Sequence, residues 1–325
     1  IVAELRRVVM LSGGMLKYQD VAILLRSASL SRHVESALGK AGVSYRMIGG
    51  HKFYDRKEIK ILLDYLRVVY QPDNNDAVAR VINVPRRGIG EATIKSFLEE
   101  AEQAKMSVWS LLWKHCHGQR KATTNIRPKM EQKLNTELLK IVSSLRHKAG
   151  QMTESSQFTL VDLLDDLVRQ LSFKRYLEEE YEEDHEGRWA NVLELINLAA
   201  DFTRDFGKAD EDALPDIEDV EQSKEDDVLG RFLANVALAS DAQKDEKDQD
   251  TSAMVTISTI HAAKGLEWPV VFVPSVYTGS IPHSRAEDSD EERRLLYVAM
   301  TRAQALLYLS CPLYGSQGLS NKVEL

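Results

Sequence analysis

Cysteine is nearly missing. The 325 residues hold two, Cys116 and Cys311, which excludes a disulfide framework and a four-cysteine zinc site and points to a reducing compartment. His115-Cys116-His117 is too tight for ligand spacing, so no metal site is expected. No apolar run approaches the roughly 18 residues of a membrane helix, and no signal-peptide pattern opens the chain, so a soluble intracellular protein without membrane contact is expected. No Gly-x-x-x-x-Gly-Lys-Ser/Thr string occurs, which excludes a phosphate-cradling P-loop within these residues. An apolar strand ending in an Asp-Glu pair, which would hold Mg²⁺, is also missing. Internal repeats and low-complexity tracts are absent. The chain starts Ile1-Val2-Ala3-Glu4, inside what reads as a helix already under way, and a piece of a longer protein is expected.

What is present is an ordinary globular composition, 43% hydrophobic and 28% charged, long enough for about two domains. The net charge of −8 argues against a nucleic-acid partner only until it is read by segment. Asp205 to Asp227 carries eleven acids and two lysines, so the remainder sums to about +1. This block, poor in aromatics and containing Pro215, reads as a solvated loop. The acidic run Glu178 to Glu186 reads as a water-facing helix surface. Lys114 to Lys148 carries nine basic residues against Glu131 and Glu137, either a phosphate-facing surface or a plain helix exterior.

Strands are expected at Asp20–Arg26, Tyr45–Ile48, Val255–Thr259, Val270–Val276 and Leu306–Cys311. Consecutive apolar residues, as in Val21-Ala22-Ile23-Leu24-Leu25, suit strands of a parallel sheet covered on both faces. From Arg56 to about Ser240 the pattern is helical, with Ile59, Leu62, Leu63, Leu66 and Tyr70 at three and four spacing. The expected architecture is α/β: a parallel-sheet domain from both chain ends (residues 1–50 and 251–325) with an all-helical domain (residues 51–250) inserted, its acidic loop at about 205–227.

Three strings carry candidate chemistry. Ser258 to Trp268 follows a strand, which places it at the C-terminal edge of a parallel sheet, where α/β proteins bind ligands. Glu267 suits ribose hydroxyls, and His261 or Lys264 suits phosphate; a core histidine and a surface lysine are the bland alternatives. Glu291 to Ala303 reads as a helix in which Leu295, Val298, Ala299 and Arg302 share one stripe. An arginine extending an apolar face needs an anion, either a carboxylate such as Glu291 or a ligand phosphate. Arg86-Arg87-Gly88-Ile89-Gly90 lies between helical patterns, where backbone N–H groups can meet phosphate or simply form a turn.

The first two strings resemble motifs V and VI of the UvrD/PcrA/Rep group of DNA helicases. Thr259, His261, Lys264, Gly265, Leu266, Glu267 and Trp268 match motif V, and Glu291-Glu292-Arg293-Arg294-Leu295 through Thr301-Arg302-Ala303 matches motif VI. Ile23-Leu24-Leu25-Arg26-Ser27 is similar to motif IVa, and Gly88-Ile89-Gly90 to the element that grips duplex DNA. The resemblance implies a RecA-like motor domain, 2A, with a helical insert, 2B. It assigns Arg302 as an arginine finger on the ATP γ-phosphate, and Glu267 with Gly265 as ATP contacts. Arg26, His261 and Lys264 become contacts to single-stranded DNA, and Arg87, Gly88, Ile89 and Gly90 contacts to duplex.

ATP and Mg²⁺ are then the cofactors, with the metal ligands in a separate 1A/1B half that this chain lacks. The implied activity is 3′-to-5′ unwinding and translocation on single strands and single-strand/duplex junctions. The segment around Ile257 to Phe272 looks most like the fungal anti-recombinase branch, which implies action on recombinase filaments in the nucleus. A catalytically incomplete, helicase-like DNA-binding scaffold is the alternative.

Overall fold

A computed structural model describes residues 1–152, 158–209, 228–241, 254–282 and 288–311. Of the expected acidic loop at about 205–227, residues 205–209 are instead helical, and residues 210–227 lie outside the described residues. In chain order the elements begin α1 (Val2–Leu11), β1 (Val21–Leu25), α2 (Ser31–Lys40) and β2 (Tyr45–Ile48). Helices follow: α3 (Lys57–Tyr70), α4 (Asn75–Val81), α5 (Glu91–Gln103), α6 (Val108–Cys116), α7 (Pro128–Leu134), α8 (Lys140–Ala149), α9 (Leu160–Gln170), α10 (Phe173–Glu180), α11 (His185–Ala209) and α12 (Val228–Asp241). The chain closes with β3 (Val255–Thr259), β4 (Trp268–Val273), α13 (Ser289–Met300) and β5 (Ala303–Leu309). It divides into two compact units, Ile1–Asp55 with Asp241–Leu325, and Arg56–Ser240.

The first unit is a five-stranded parallel sheet in the order β2-β3-β1-β4-β5. Its central strand β1 is buried along its whole length, and alternation sends its side chains to two separate cores. Val21, Ile23 and Leu25 join Leu5 and Val8 of α1 and Val34 and Leu38 of α2 on one face. Ala22 and Leu24 join Val271, Val273 and Ala299 of α13 on the other. Helices on both faces therefore account for the unbroken apolar runs. Strand β4 starts two residues before the expected Val270 because Trp268 pairs with Ala303 across a register shift at Pro269, which has no N–H for the ladder.

The described residues of the second unit are helical, with no strand among them. Ile59, Leu62, Leu63 and Leu66 form the buried stripe of α3, whereas Tyr70, its last residue, is 45% exposed. Buried Glu58 ties α3 to α11, accepting from Arg188 Nη1 at 2.7 Å and Asn191 Nδ2 at 2.6 Å. α7 runs through a π-helical turn, Asn135–Leu139, directly into α8. Asn74, Ser107 and Thr159 cap α4, α6 and α9 with side-chain oxygens.

Glu100 on α5 fixes the loop beyond α6. Burial opposes its charge, but the Thr123 and Thr124 N–H groups and the Thr124 hydroxyl donate to it at 2.7, 2.8 and 2.7 Å and pull its pKa from 4.5 down to about 2. A lowered folded-state pKa stabilises above the unfolded value and is lost as pH falls through the folded one. Glu100→Gln is expected to cost on the order of 3 kcal/mol at neutral pH. In urea titrations, the gap between the two proteins should shrink as pH falls from about 4.5 toward about 2.

Candidate functional site

A parallel sheet has two unlike edges, and the candidate residues divide between them. Thr259 ends β3 opposite Leu25, the end of β1, and the Ile260 N–H donates to the Leu25 carbonyl at 2.9 Å. Trp268 instead begins β4, and its N–H donates to the carbonyl of Arg302, which precedes β5, at 2.9 Å. The loop between them leaves the C-terminal edge and arrives at the N-terminal edge, about 16 Å away for a five-residue strand. This corrects the expectation that all of Ser258 to Trp268 lies at the C-terminal edge. α13 makes the same crossing, over about 18 Å of helix.

At the C-terminal edge Arg26 follows β1. Its Nε donates to both oxygens of Glu292 at 3.2 and 3.0 Å, and its Nη2 to Oε1 at 2.7 Å. Glu292 is 4% exposed in the first turn of α13, and the Arg26 side chain is 24% exposed. Arg26, expected to face DNA, holds its guanidinium against a buried carboxylate while its side chain stays partly exposed. Sequence reasoning passed over Glu292, although it sits three residues before Leu295 on the same helix stripe. His261 and Lys264 are exposed, so His261 is not a core histidine. Gly49, at φ +73°, approaches this loop so closely that a Cβ there would lie 2.2 Å from the Ala262 Cβ.

At the N-terminal edge α13 ends at Met300, three residues short of the expected Ala303, and Arg302 folds back from the turn beyond. Its Nε donates to the Val298 carbonyl at 3.0 Å, Nη1 to the Leu266 carbonyl at 3.2 Å and Nη2 to the Thr301 hydroxyl at 3.0 Å. All three acceptors are neutral, and no carboxylate among the described residues pairs with Arg302; Glu291, the sequence candidate, is exposed. Neighbouring Glu267 is exposed and has no cationic partner among the described residues; the Gln304 amide lies 3.4 Å from its Oε2. Gly265 takes φ +85°, a conformation that costs other residues about 1–2 kcal/mol. An unneutralised cation beside a carboxylate fits a ligand that combines anionic phosphate with hydroxyls. No cluster of three or more His, Cys, Asp or Glu side chains among the described residues could hold a metal ion. No helix among them is long and apolar enough to cross a membrane.

In the helical unit, Arg87 is 2% exposed. Its Nη1 donates to the carbonyls of Val81, Ile82 and Val84 at 3.0, 3.0 and 3.2 Å. Its Nη2 donates to the Tyr65 hydroxyl at 2.8 Å and to the Glu137 carbonyl, in the π-helical turn, at 2.7 Å. Arg87 thus braces the loop from inside, and its expected contact with phosphate is corrected. Asn83 Oδ1 accepts from the Arg87 and Ile89 N–H groups at 2.9 and 3.0 Å, and Ile89 is buried. Gly88, at φ +80°, and Gly90 stay exposed, Gly90 at the N-terminus of α5, where no side chain caps the first turn.

Exposed polar residues at both ends of one parallel sheet give this α/β domain two separate candidate surfaces. The profile of the UvrD-like helicase C-terminal domain matches residues 1–313, and the chain belongs to that family. It is 39% identical over 315 residues to the ATP-dependent DNA helicase srs2 of Schizosaccharomyces pombe, covering 95% of this chain and 33% of that protein. It is 33% identical over 307 residues to the ATP-dependent DNA helicase PcrA of Bacillus subtilis, covering 92% of this chain and 37% of that one. A similar match, 35% over 303 residues, joins it to the ATP-dependent DNA helicase UvrD1 of Mycobacterium bovis. The chain spans about a third of the length of these relatives.

Arg26→Ala is expected to destabilise the sheet unit by about 3 kcal/mol, because it leaves Glu292 buried and unpaired. Replacing both partners, Arg26→Met with Glu292→Leu, should cost much less, and a double-mutant cycle of urea denaturation measures the coupling. Gly49→Ala should cost more than the roughly 1–2 kcal/mol of its positive φ alone. Adding Ala262→Gly should recover the steric part of that loss and not the backbone part.

Proposed function

We propose that this chain is the C-terminal half, domains 2A and 2B, of an ATP-dependent 3′-to-5′ DNA helicase and single-stranded DNA translocase. Residues 1–50 and 251–325 are read as the RecA-like domain 2A and residues 51–250 as the helical insert 2B. The observation that carries the proposal is the placement of Arg302 and Glu267 together at one sheet edge, each without a side-chain partner of opposite charge among the described residues, with exposed His261 and Lys264 at the other. Relatives named as ATP-dependent DNA helicases, matching over more than nine-tenths of the chain, support the same reading.

In this reading a 1A/1B half supplies the P-loop and the Mg²⁺ ligands. ATP bound there supplies the phosphoanhydride bond whose hydrolysis drives the cycle. Arg302 exchanges its carbonyl acceptors for the γ-phosphate and stabilises the charge that develops on it, while Glu267 accepts from the ribose hydroxyls and Gly265 keeps the loop clear. His261 and Lys264 meet the phosphates of single-stranded DNA. Arg26 acts through Glu292, bracing the end of β1 against the start of α13. Because the motif V loop and α13 both run from edge to edge, closure on nucleotide at one end displaces the strand-binding residues at the other, and reopening completes a step. Exposed N–H groups at Gly88 and Gly90 suit duplex phosphates at a single-strand/duplex junction, with Arg87 holding the loop. Work on recombinase filaments, in the nucleus, belongs to this proposal through the likeness to the fungal branch.

The test is ATP hydrolysis by the full-length protein with and without single-stranded DNA. Arg302→Ala should lower the DNA-stimulated rate by about 10³ to 10⁵ while nucleotide binding is largely kept. Equal rates in parent and variant would remove Arg302 from the reaction. A folded parent that binds DNA without hydrolysing ATP would leave a DNA-binding scaffold.

A further inference from the structure

The helical unit holds a cleft remote in sequence from the motif loops. Its volume is about 790 Å³, within the range of pockets that take a small ligand, and it lies between α6, the C-terminal end of α8 and the turn at Asp73. Its lining includes Trp109, Trp113, Lys114, Arg146 and His147. Trp109, Trp113 and His117 follow one another at four-residue spacing along α6 and its end. The indoles are near-parallel at 24° with centroids 6.4 Å apart, and Trp113 lies 4.1 Å from the His117 ring at 23°. Trp113 is half-buried, so the array is braced yet reachable.

Two cations of the lining are not offset by ion pairs among the described residues, whereas several arginines elsewhere in the unit are. Arg67 and Arg80 pair with Asp64, Arg86 with Glu180, Arg175 with Glu179 and Arg188 with Glu58. Lys114 and exposed Arg146 make no ion pair among the described residues, although both line the cleft. The acid in the lining, Asp73, accepts from the Ser107 hydroxyl at 2.5 Å. Aromatic rings beside separated, unneutralised cations match a ligand with a planar ring and an adjacent anion, which is a nucleotide unit. A base inside a duplex has both faces covered, so the ring must come from an unpaired nucleotide.

We propose that this cleft binds an unpaired nucleotide of single-stranded DNA, its base against Trp113 and its phosphate between Lys114 and Arg146. The choice of a strand over a free nucleotide rests on the DNA-handling function proposed above; the choice of a nucleotide rests on the cleft alone. The full-length protein is photocrosslinked to an oligothymidine of roughly 16 nucleotides carrying 5-iodouracil, and crosslinked peptides are mapped by mass spectrometry. Crosslinks are expected on the α6 peptide bearing Trp109 and Trp113. Arg146→Glu and, independently, Lys114→Glu should lower them at least roughly fivefold and leave crosslinks at the His261 loop unchanged. Crosslinks at the His261 loop alone would overturn this site and keep the helicase reading. An absence at both would count against both. Loss of the α6 crosslink to excess free thymidine monophosphate would overturn the strand in favour of a free nucleotide.

Discussion

Five parallel strands with helices on both faces leave a ligand nowhere to bind except at the strand ends. Along β1 and β4 both faces are filled by buried Val, Ile, Leu and Phe side chains, so polar chemistry gathers at the strand ends, while β5 at the margin of the sheet leaves Leu306 and Leu309 exposed. Each edge receives a different set of groups because the chain must cross the sheet to keep its strands parallel. The motif V loop crosses between β3 and β4, and α13 crosses before β5. Arg302 then joins the two arrivals, since its guanidinium donates to Leu266 of the loop and its carbonyl accepts from Trp268. The partition into two ends and the linkage between them follow from one topological requirement.

Three arginines show how surroundings, rather than residue type, set a role. Arg87 is buried, and its guanidinium is held by four backbone carbonyls and a tyrosine hydroxyl, with Glu137 Oε2 3.9 Å from its Nε, an arrangement that fixes a loop. Arg26 meets a buried carboxylate in bidentate geometry, so its charge is balanced within the fold. Arg302 is held in place by neutral acceptors and keeps its full charge at the surface of the sheet edge. Preorganisation without neutralisation is the condition under which a cation stabilises charge that develops elsewhere.

The charge distribution fits the same division. The overall −8 is carried by the block from Asp205 to Asp227, and the rest of the chain is close to neutral, which allows local cationic surfaces to meet phosphate. Family membership covers residues 1–313, and the chain spans about a third of the length of each relative.

The sequence by itself determined the parallel sheet and its location at the chain ends, because consecutive apolar residues such as Val21 to Leu25 are stable only between two covering layers. It also marked Glu267 and Arg302, whose residue types in that order carry the family likeness. Local pattern could not show where β4 begins, because Pro269 obscures a strand that the pairing of Trp268 with Ala303 establishes. Nor could it show that Glu292, 266 positions away, neutralises Arg26, or that Val81, Ile82, Val84 and Glu137 enclose Arg87. Only the tertiary structure decided which arginines remain available, since a charge is spent or kept according to partners brought together by folding, and a one-dimensional pattern records only neighbours along the chain.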